Sequence, residues 1–372
     1  VGTAVEPGSG STIMAYAGLC SPNNVESVSD FYFHLVSIRE IWNNITNGSG
    51  TCSEVTDTGN DAPVLPDIED YTIPIATPFV LEAVATDLNN DEMTYTWEQL
   101  DIETTTYPLV STATQGPAFR SISPTSSGAR YFPDQRTVIA GSLSNTWEVL
   151  PSVARTMRFG VTVRDNNLRG GQTDSKETTL TFFESSGPFQ LSSQASSETW
   201  DAGTAQTVTW DVANTNASPI NCNLVNILMS FDGGYTYPIT LASNVPNDGA
   251  HQIIAPNLTT SNGRIKVESV GNVFYAMNTG NISIQASEFI MEIDSSSDTI
   301  CAPDNAVYNF NYKTFLSFNE ETTFSAVGLP TGASAVFNPA SATANNTPVT
   351  ITISGIQDES IGNYSISLVG IS

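Results

Sequence analysis

RTMRFGVTVRD (residues 155–165) and ETTLTFF (residues 177–183) decide the fold class. In the first, Phe159, Val161 and Val163 alternate with Arg158 and Gly160, which puts the apolar side chains on one face of a strand. The second keeps that period and is rich in β-branched and aromatic residues. Upstream, PFVLEAVATD (78–87) and MTYTWEQL (93–100) have the same character. Downstream come AQTVTWDV (205–212), LVNILMSF (224–231), YPITLAS (237–243), HQIIAP (251–256), RIKVESV (264–270) and ISIQA (282–286). A last series runs AVYNFNYKT (306–314), ETTFSAVG (321–328), SAVFNP (334–339), PVTITISG (348–355) and NYSISLVG (363–370). Strands at this spacing, parted by Gly, Asn and Asp turns, predict a mainly β chain of sandwich modules.

One stretch reads as a helix. In DFYFHLVSIREIWNN (30–44), apolar groups recur at Phe31, His34/Leu35, Ile38 and Ile41/Trp42, the i, i+3, i+4, i+7 period. Ser29 or Asp30 caps its start, and Asn47-Gly48-Ser49-Gly50 breaks it. The expected organisation is a small helix-containing unit over residues 1–58, then three β-sandwich modules, Ig-like or fibronectin-like, over 63–184, 189–287 and 288–372. Boundaries fall at Ala62–Pro66, at Ser185–Pro188 and at the acidic serine tract Asp294–Asp298. Residues 101–155 form a long insertion with no clear period.

Lys and Arg number 12 against 38 Asp and Glu, a formal charge of −26. That balance argues against nucleic acid and anionic lipid as partners, because no basic surface offsets phosphate charge. It suits a divalent cation. No run reaches the roughly 18 apolar residues of a membrane span. The chain opens on Val1 within a turn-rich phrase and reads as an internal or processed fragment.

The four cysteines are Cys20, Cys52, Cys222 and Cys301. They form no CxxC, and His34 and His251 are the only imidazoles, so a structural zinc site is not expected. An even count and low Lys favour an oxidising, extracellular setting. Cys20 and Cys52 flank the helix and are the preferred disulfide, worth about 3 kcal/mol by chain entropy. Cys222 and Cys301 are expected to pair across a joint, or else to remain buried thiols.

The phrase EPGSGSTIMAYAGLC (6–20), followed by SDFYFHLVSIREI (29–41), resembles the Met-turn region of reprolysin-like metzincin peptidases secreted by Bacteroidetes. In that family a tight turn sets a Met thioether beneath a three-histidine zinc site. The resemblance makes Met14 the floor residue and residues 1–58 the C-terminal subdomain of a metzincin catalytic domain. Tyr16, two residues on, stands where some metzincins place a zinc-facing or oxyanion-binding phenol. The alternative is a packed Tyr. The family's HExxHxxGxxH is absent here, so zinc and the general base belong to an upstream half. That half is then a partner, the substrate is a protein or peptide, and this chain alone is inactive. The resemblance further implies a secreted or cell-surface location, with type IX secretion the route of Bacteroidetes relatives.

ATDLNNDEMTYTWEQLD (85–101) resembles the acidic turn of PKD- or cadherin-type modules of the same proteins. Asp87, Asn89 and Asp91 lie at i, i+2 and i+4, with Glu98 beyond, a spacing that suits Ca²⁺. Asp165, in a second acidic turn, completes a tentative calcium site. An EF-hand is excluded, since Glu92 stands where Gly is needed. The plain alternative is a hairpin capped by its own Asp and Asn side chains. SFDGGYTYP (230–238) fits the Asp-box pattern and reads as turn chemistry. A second functional class is a non-enzymatic adhesin or scaffold of stacked sandwiches. Its glycan-binding variant makes Trp147 or Trp200 the stacking platform.

Overall fold

The computed structural model describes residues 2–52, 54–293, 297–315 and 317–372. Of the expected serine-tract joint, residues 294–296 lie outside the described residues. The chain is mainly β. It gathers into two compact units. One holds residues 2–197, 207–251 and 262–281; the other holds 198–206, 252–261 and 282–372.

The first unit opens with a turn-rich segment and helix α1 (Leu35–Asn47). Eight strands follow: β1 (Tyr71–Pro74), β2 (Phe79–Glu82), β3 (Thr94–Gln99), β4 (Ala129–Phe132), β5 (Ser144–Asn145), β6 (Glu148–Val149), β7 (Arg155–Arg164) and β8 (Thr173–Phe183). One sheet runs β1-β8-β7-β3, and β2 pairs with β4 in a second. The β1–β8 pair is parallel. Met157, Phe159, Val161 and Val163 of β7 point into the core, as their alternation predicts. There Phe79 stacks on Phe132 at 4.8 Å, and Phe119, Phe159 and Phe182 meet Phe79 edge-on. Each such ring removes enough apolar area from water to contribute roughly 1.5–3 kcal/mol.

The insertion is not a loose loop. It supplies β4, β5, β6, the short helix α2 (Gln135–Ile139) and the buried Phe119, Phe132 and Trp147. It also seats the N-terminal segment. Gly8 N–H donates to Thr105 O at 2.9 Å, Glu103 N–H to Ala4 O at 3.0 Å, and Tyr107 N–H to Asn23 Oδ1 at 2.8 Å. Gly8 has φ +56°, and a Cβ there would stand 2.5 Å from Asn23 O and 2.8 Å from the Trp147 ring. Only glycine fits.

The helix begins later than its sequence period suggests. Asp30 N–H donates to Ser11 O, and Ile13 N–H to Tyr32 O, so residues 30–32 pair with the turn instead of coiling. His34, not Ser29 or Asp30, is the N-cap, with Nδ1 accepting from Val36 N–H at 3.1 Å. Gly48 ends the helix, donating to Asn44 O. Of the expected stripe, His34 and Leu35 are buried, and the helix is exposed from Arg39 onward.

The same unit carries a second strand series. Leu224–Ser230 pairs with Ile239–Pro246 and with Thr260–Ser269, which also pairs with Tyr275–Met277. It is tied to the first series by Val80 N–H on Val273 O, Tyr275 N–H on Pro78 O and Phe189 N–H on Thr77 Oγ1. Ser186, in the expected boundary, is buried and donates to Ala213 O.

In the second unit, Phe289–Ile293, Ala306–Thr314, Thr347–Ser354 and Ser334–Asn338 form one sheet. Ser341–Ala342, Thr322–Val327 and Ser367–Ile371 form another. Phe310, Tyr312, Phe324, Phe337 and Ile351 fill the core between these strands. Glu198–Asp201 runs parallel to Ile282–Gln285.

Candidate functional sites

Asp87 and Asp91 sit in the loop before β3, and Asp165 directly follows β7. Antiparallel pairing of β3 with β7 aligns Thr94 with Arg164 and so brings the two loops to one pole. One carboxylate oxygen from each Asp lies within 4.8 Å of the other two. Asp165 is buried. Its Oδ1 accepts from Asn167 N–H (3.1 Å) and Gln172 N–H (2.8 Å), and its Oδ2 from Asn60 Nδ2 (2.6 Å). Asp91 Oδ2 accepts from Asn167 Nδ2 at 2.8 Å. Asp87 Oδ1 accepts from Asp91 N–H at 3.0 Å, while its enclosed Oδ2 has no hydrogen-bond partner.

Two expected members stand elsewhere. Asn89 is exposed, and its Oδ1 accepts from Asp61 N–H at 2.8 Å. Glu98 points from the opposite end of β3 toward α1, where Oε2 accepts from Leu35 N–H at 2.7 Å. Asn60 and Asn167 join the pole unannounced by the 87–91 spacing. Their only signal was the turn composition around them, Asp57-Thr58-Gly59-Asn60-Asp61 and Asp165-Asn166-Asn167.

The N-terminal turn is built around Glu6. Its Oε1 accepts from Ser11 N–H at 3.0 Å and its Oε2 from Thr12 Oγ1 at 2.6 Å. Met14 and Tyr16 project from this turn, 63% and 68% exposed. Ile13, Leu19, Val28 and Phe31 are exposed with them. Met14 is therefore not covered, in contrast to a Met-turn floor beneath a metal. His34, the buried helix cap, and His251 are too few for three imidazole ligands. The residues of this chain do not fit a catalytic zinc ion.

The cysteine pairings expected from the sequence do not form. Cys20, Cys52, Cys222 and Cys301 are all free thiols. Cys20 is held in the turn, its N–H on Asn24 Oδ1 at 2.7 Å. Helix α1, about 20 Å long at 1.5 Å per residue, carries the chain outward to an exposed Cys52. Cys222 is buried, its thiol donating to Leu224 O at 3.3 Å, and burial pushes its pKa up. Cys301 is exposed.

The Asp-box segment is turn chemistry. Asp232 Oδ1 accepts from Ser230 Oγ (2.6 Å), Tyr235 N–H and Thr236 N–H (both 3.0 Å), and Oδ2 from Thr236 Oγ1 (2.6 Å). Trp147 and Trp200 are both buried, so neither is a stacking platform; Trp42 on α1 is the exposed indole. The indole N–H of Trp200 is taken by Glu198 Oε1.

No family model matches the chain, and no curated protein matches it. Among solved structures, it is similar to the N-terminal eight Ig domains of Down Syndrome Cell Adhesion Molecule at TM-score 0.18 and 11% identity, covering 82% of this chain and 38% of that one. Sidekick-1 immunoglobulin domains 1–5 give TM-score 0.20 and 10% identity, covering 84% and 58%. Chicken CNTN1 FN1–FN3 domains give 0.18 and 10%, covering 84% and 94%. The chain thus spans less than two thirds of each of the first two. Similarity this loose carries no argument; the β class rests on the sheets of this chain itself. Among the described residues, no helix is long and apolar enough to cross a membrane.

Proposed function

We propose that residues 2–52 are the cleft-floor part of a metzincin-type zinc endopeptidase and that the β strands beyond form its accessory scaffold. The observation carrying this reading is the Glu6-braced turn. It fixes its backbone firmly while presenting Met14, Tyr16, Ile13 and Leu19 to solvent. A turn so rigid with so apolar a face suits a surface covered by the rest of a domain. Zinc and the general base then belong to an upstream half, the substrate is a protein or peptide, and the location is secreted or cell-surface.

Peroxide footprinting tests it. In the chain as it stands Met14 should oxidise rapidly, since oxidation follows exposure. In a polypeptide that joins such an upstream half to this chain, Met14 should be protected, and casein turnover should stop on zinc chelation. Equal Met14 oxidation in both, with no turnover, overturns the reading. The second reading, a non-enzymatic adhesin or scaffold, then takes its place; it is favoured by the predominantly β character of the chain after residue 70.

The acidic pole supports calcium as a cofactor of the scaffold. Three carboxylates within 4.8 Å repel one another unless a cation lies among them. The unpartnered Asp87 Oδ2 is a ligand atom without a proton donor. Asn60 and Asn167 now face the carboxylates with their amide nitrogens; a half-turn of either amide offers oxygen instead.

A further inference from the structure

Glu98 is fully buried on the outer face of β3, beneath the start of α1. One oxygen accepts from Leu35 N–H, the first amide of the helix. The other, Oε1, has no hydrogen-bond partner and stands 3.8 Å from Nε2 of buried His34. The charges around it are few and mostly committed. After burial, His34 is the strongest influence on Glu98 and attracts it; its Nδ1 accepts from Val36 N–H. Arg164 of β7 attracts Glu98, but its guanidinium donates to Thr96 Oγ1 and Phe33 O. Glu6 of the N-terminal turn adds repulsion. Burial drives the Tyr32 phenol far above its ordinary value, so it stays neutral.

The same spot anchors α1. Leu35 packs on Gly160, exposed Arg39 pairs with half-buried Glu177, and beyond Arg39 the helix faces solvent. A helix of 13 residues has little stability of its own in water. Its order therefore depends on its first turn remaining seated over Glu98.

We propose that Glu98 is a proton-operated latch for α1, which seats the helix more firmly when its carboxyl is protonated and loosens it when the carboxylate is charged. Protonation places a hydrogen on the unpartnered Oε1 and leaves Oε2 free to accept from Leu35. It removes a buried charge whose desolvation His34, the Leu35 amide and Arg164 offset only in part. Burial, the largest influence on this carboxyl, accordingly raises its pKa above the ordinary glutamate value. Seated, the group holds its proton more tightly than when solvent reaches it. The seated state is therefore favoured as pH falls toward the ordinary value and disfavoured as pH rises past the raised one. The latch stands independently of the peptidase reading.

Hydrogen exchange of the α1 amides at pH 5 and pH 8, corrected for intrinsic rates, tests it on the whole chain. Protection should be greater at pH 5, by roughly tenfold for each unit by which the seated pKa exceeds the free one. E98Q, uncharged and of the same shape, should show the high protection at both pH values. Equal wild-type protection at the two pH values overturns the latch, as does an E98Q ratio matching the wild type. Should E98Q fail to fold, ¹³C titration of Glu98 in the wild-type chain decides: a midpoint at or below the ordinary glutamate range overturns the proposal, and one above it upholds it.

Discussion

Leu35 rests on Gly160: a Cβ at position 160 would stand 2.7 Å from Leu35 Cδ1 and 3.1 Å from Leu100 Cδ1. The sheet that carries the first core thus leaves a gap in its outer face for one side chain of α1. Gly160→Ala should push Leu35 out of that gap at a cost of about 1–3 kcal/mol, the usual range for overpacking. The thermal midpoint should fall, and fluorescence of Trp42, on the same helix, should report a looser α1. An unchanged midpoint and spectrum would show that the helix is not seated here.

Added Ca²⁺ should raise the unfolding midpoint of the first unit. A ligand that binds only the folded state adds about 2.7 kcal/mol at a hundredfold excess over its dissociation constant. Asp87→Asn and Asp91→Asn should each remove most of that rise. Asn89→Ala should not, because Asn89 Oδ1 is spent on Asp61 N–H. Mg²⁺ should substitute poorly, since it demands tighter octahedral geometry. A midpoint indifferent to chelator reduces the pole to a hydrogen-bonded turn.

Asp232 sets a second pH dependence, of opposite sign to that of Glu98. Partial burial acts to raise its pKa, but hydrogen bonds from Ser230, Thr236 and the turn amides outweigh this and hold it at about 2. The hairpin's share of stability is then present above the ordinary value of 3.8 and lost as pH falls through about 2. Asp232→Asn should lower the midpoint at neutral pH and flatten its slope between these values. A variant with the wild-type slope would refute this.

Thiol labelling should follow exposure. Cys52 and Cys301 should react in the native protein, and Cys222 only after unfolding, since burial keeps its thiol protonated and enclosed. Four thiols should be counted under denaturing, non-reducing conditions. A bridged Cys20–Cys52 peptide in a non-reducing map is the contrary result.

The strands were legible because alternation is local: Phe159, Val161 and Val163 announce a buried face without knowledge of what covers it. The Asp-box turn was legible for the same reason, its donors lying within four residues of Asp232. The start of α1 was not. Its apolar period runs back to Phe31, but backbone bonds from Asp30 to Ser11 and from Ile13 to Tyr32 hold those residues in a bend outside the helix. Trp147 and Trp200 look alike as isolated aromatics, and only packing shows both enclosed. Asp165 reaches Asp87 and Asp91 across more than seventy residues because β3 and β7 pair in one register. Glu98 belongs by spacing to the acidic loop and by position to the helix. Sequence determines what a side chain can do, through its charge, its shape and its near neighbours. Tertiary structure decides which distant groups surround it and whether water reaches it, and for Glu98 those two facts govern where its proton resides.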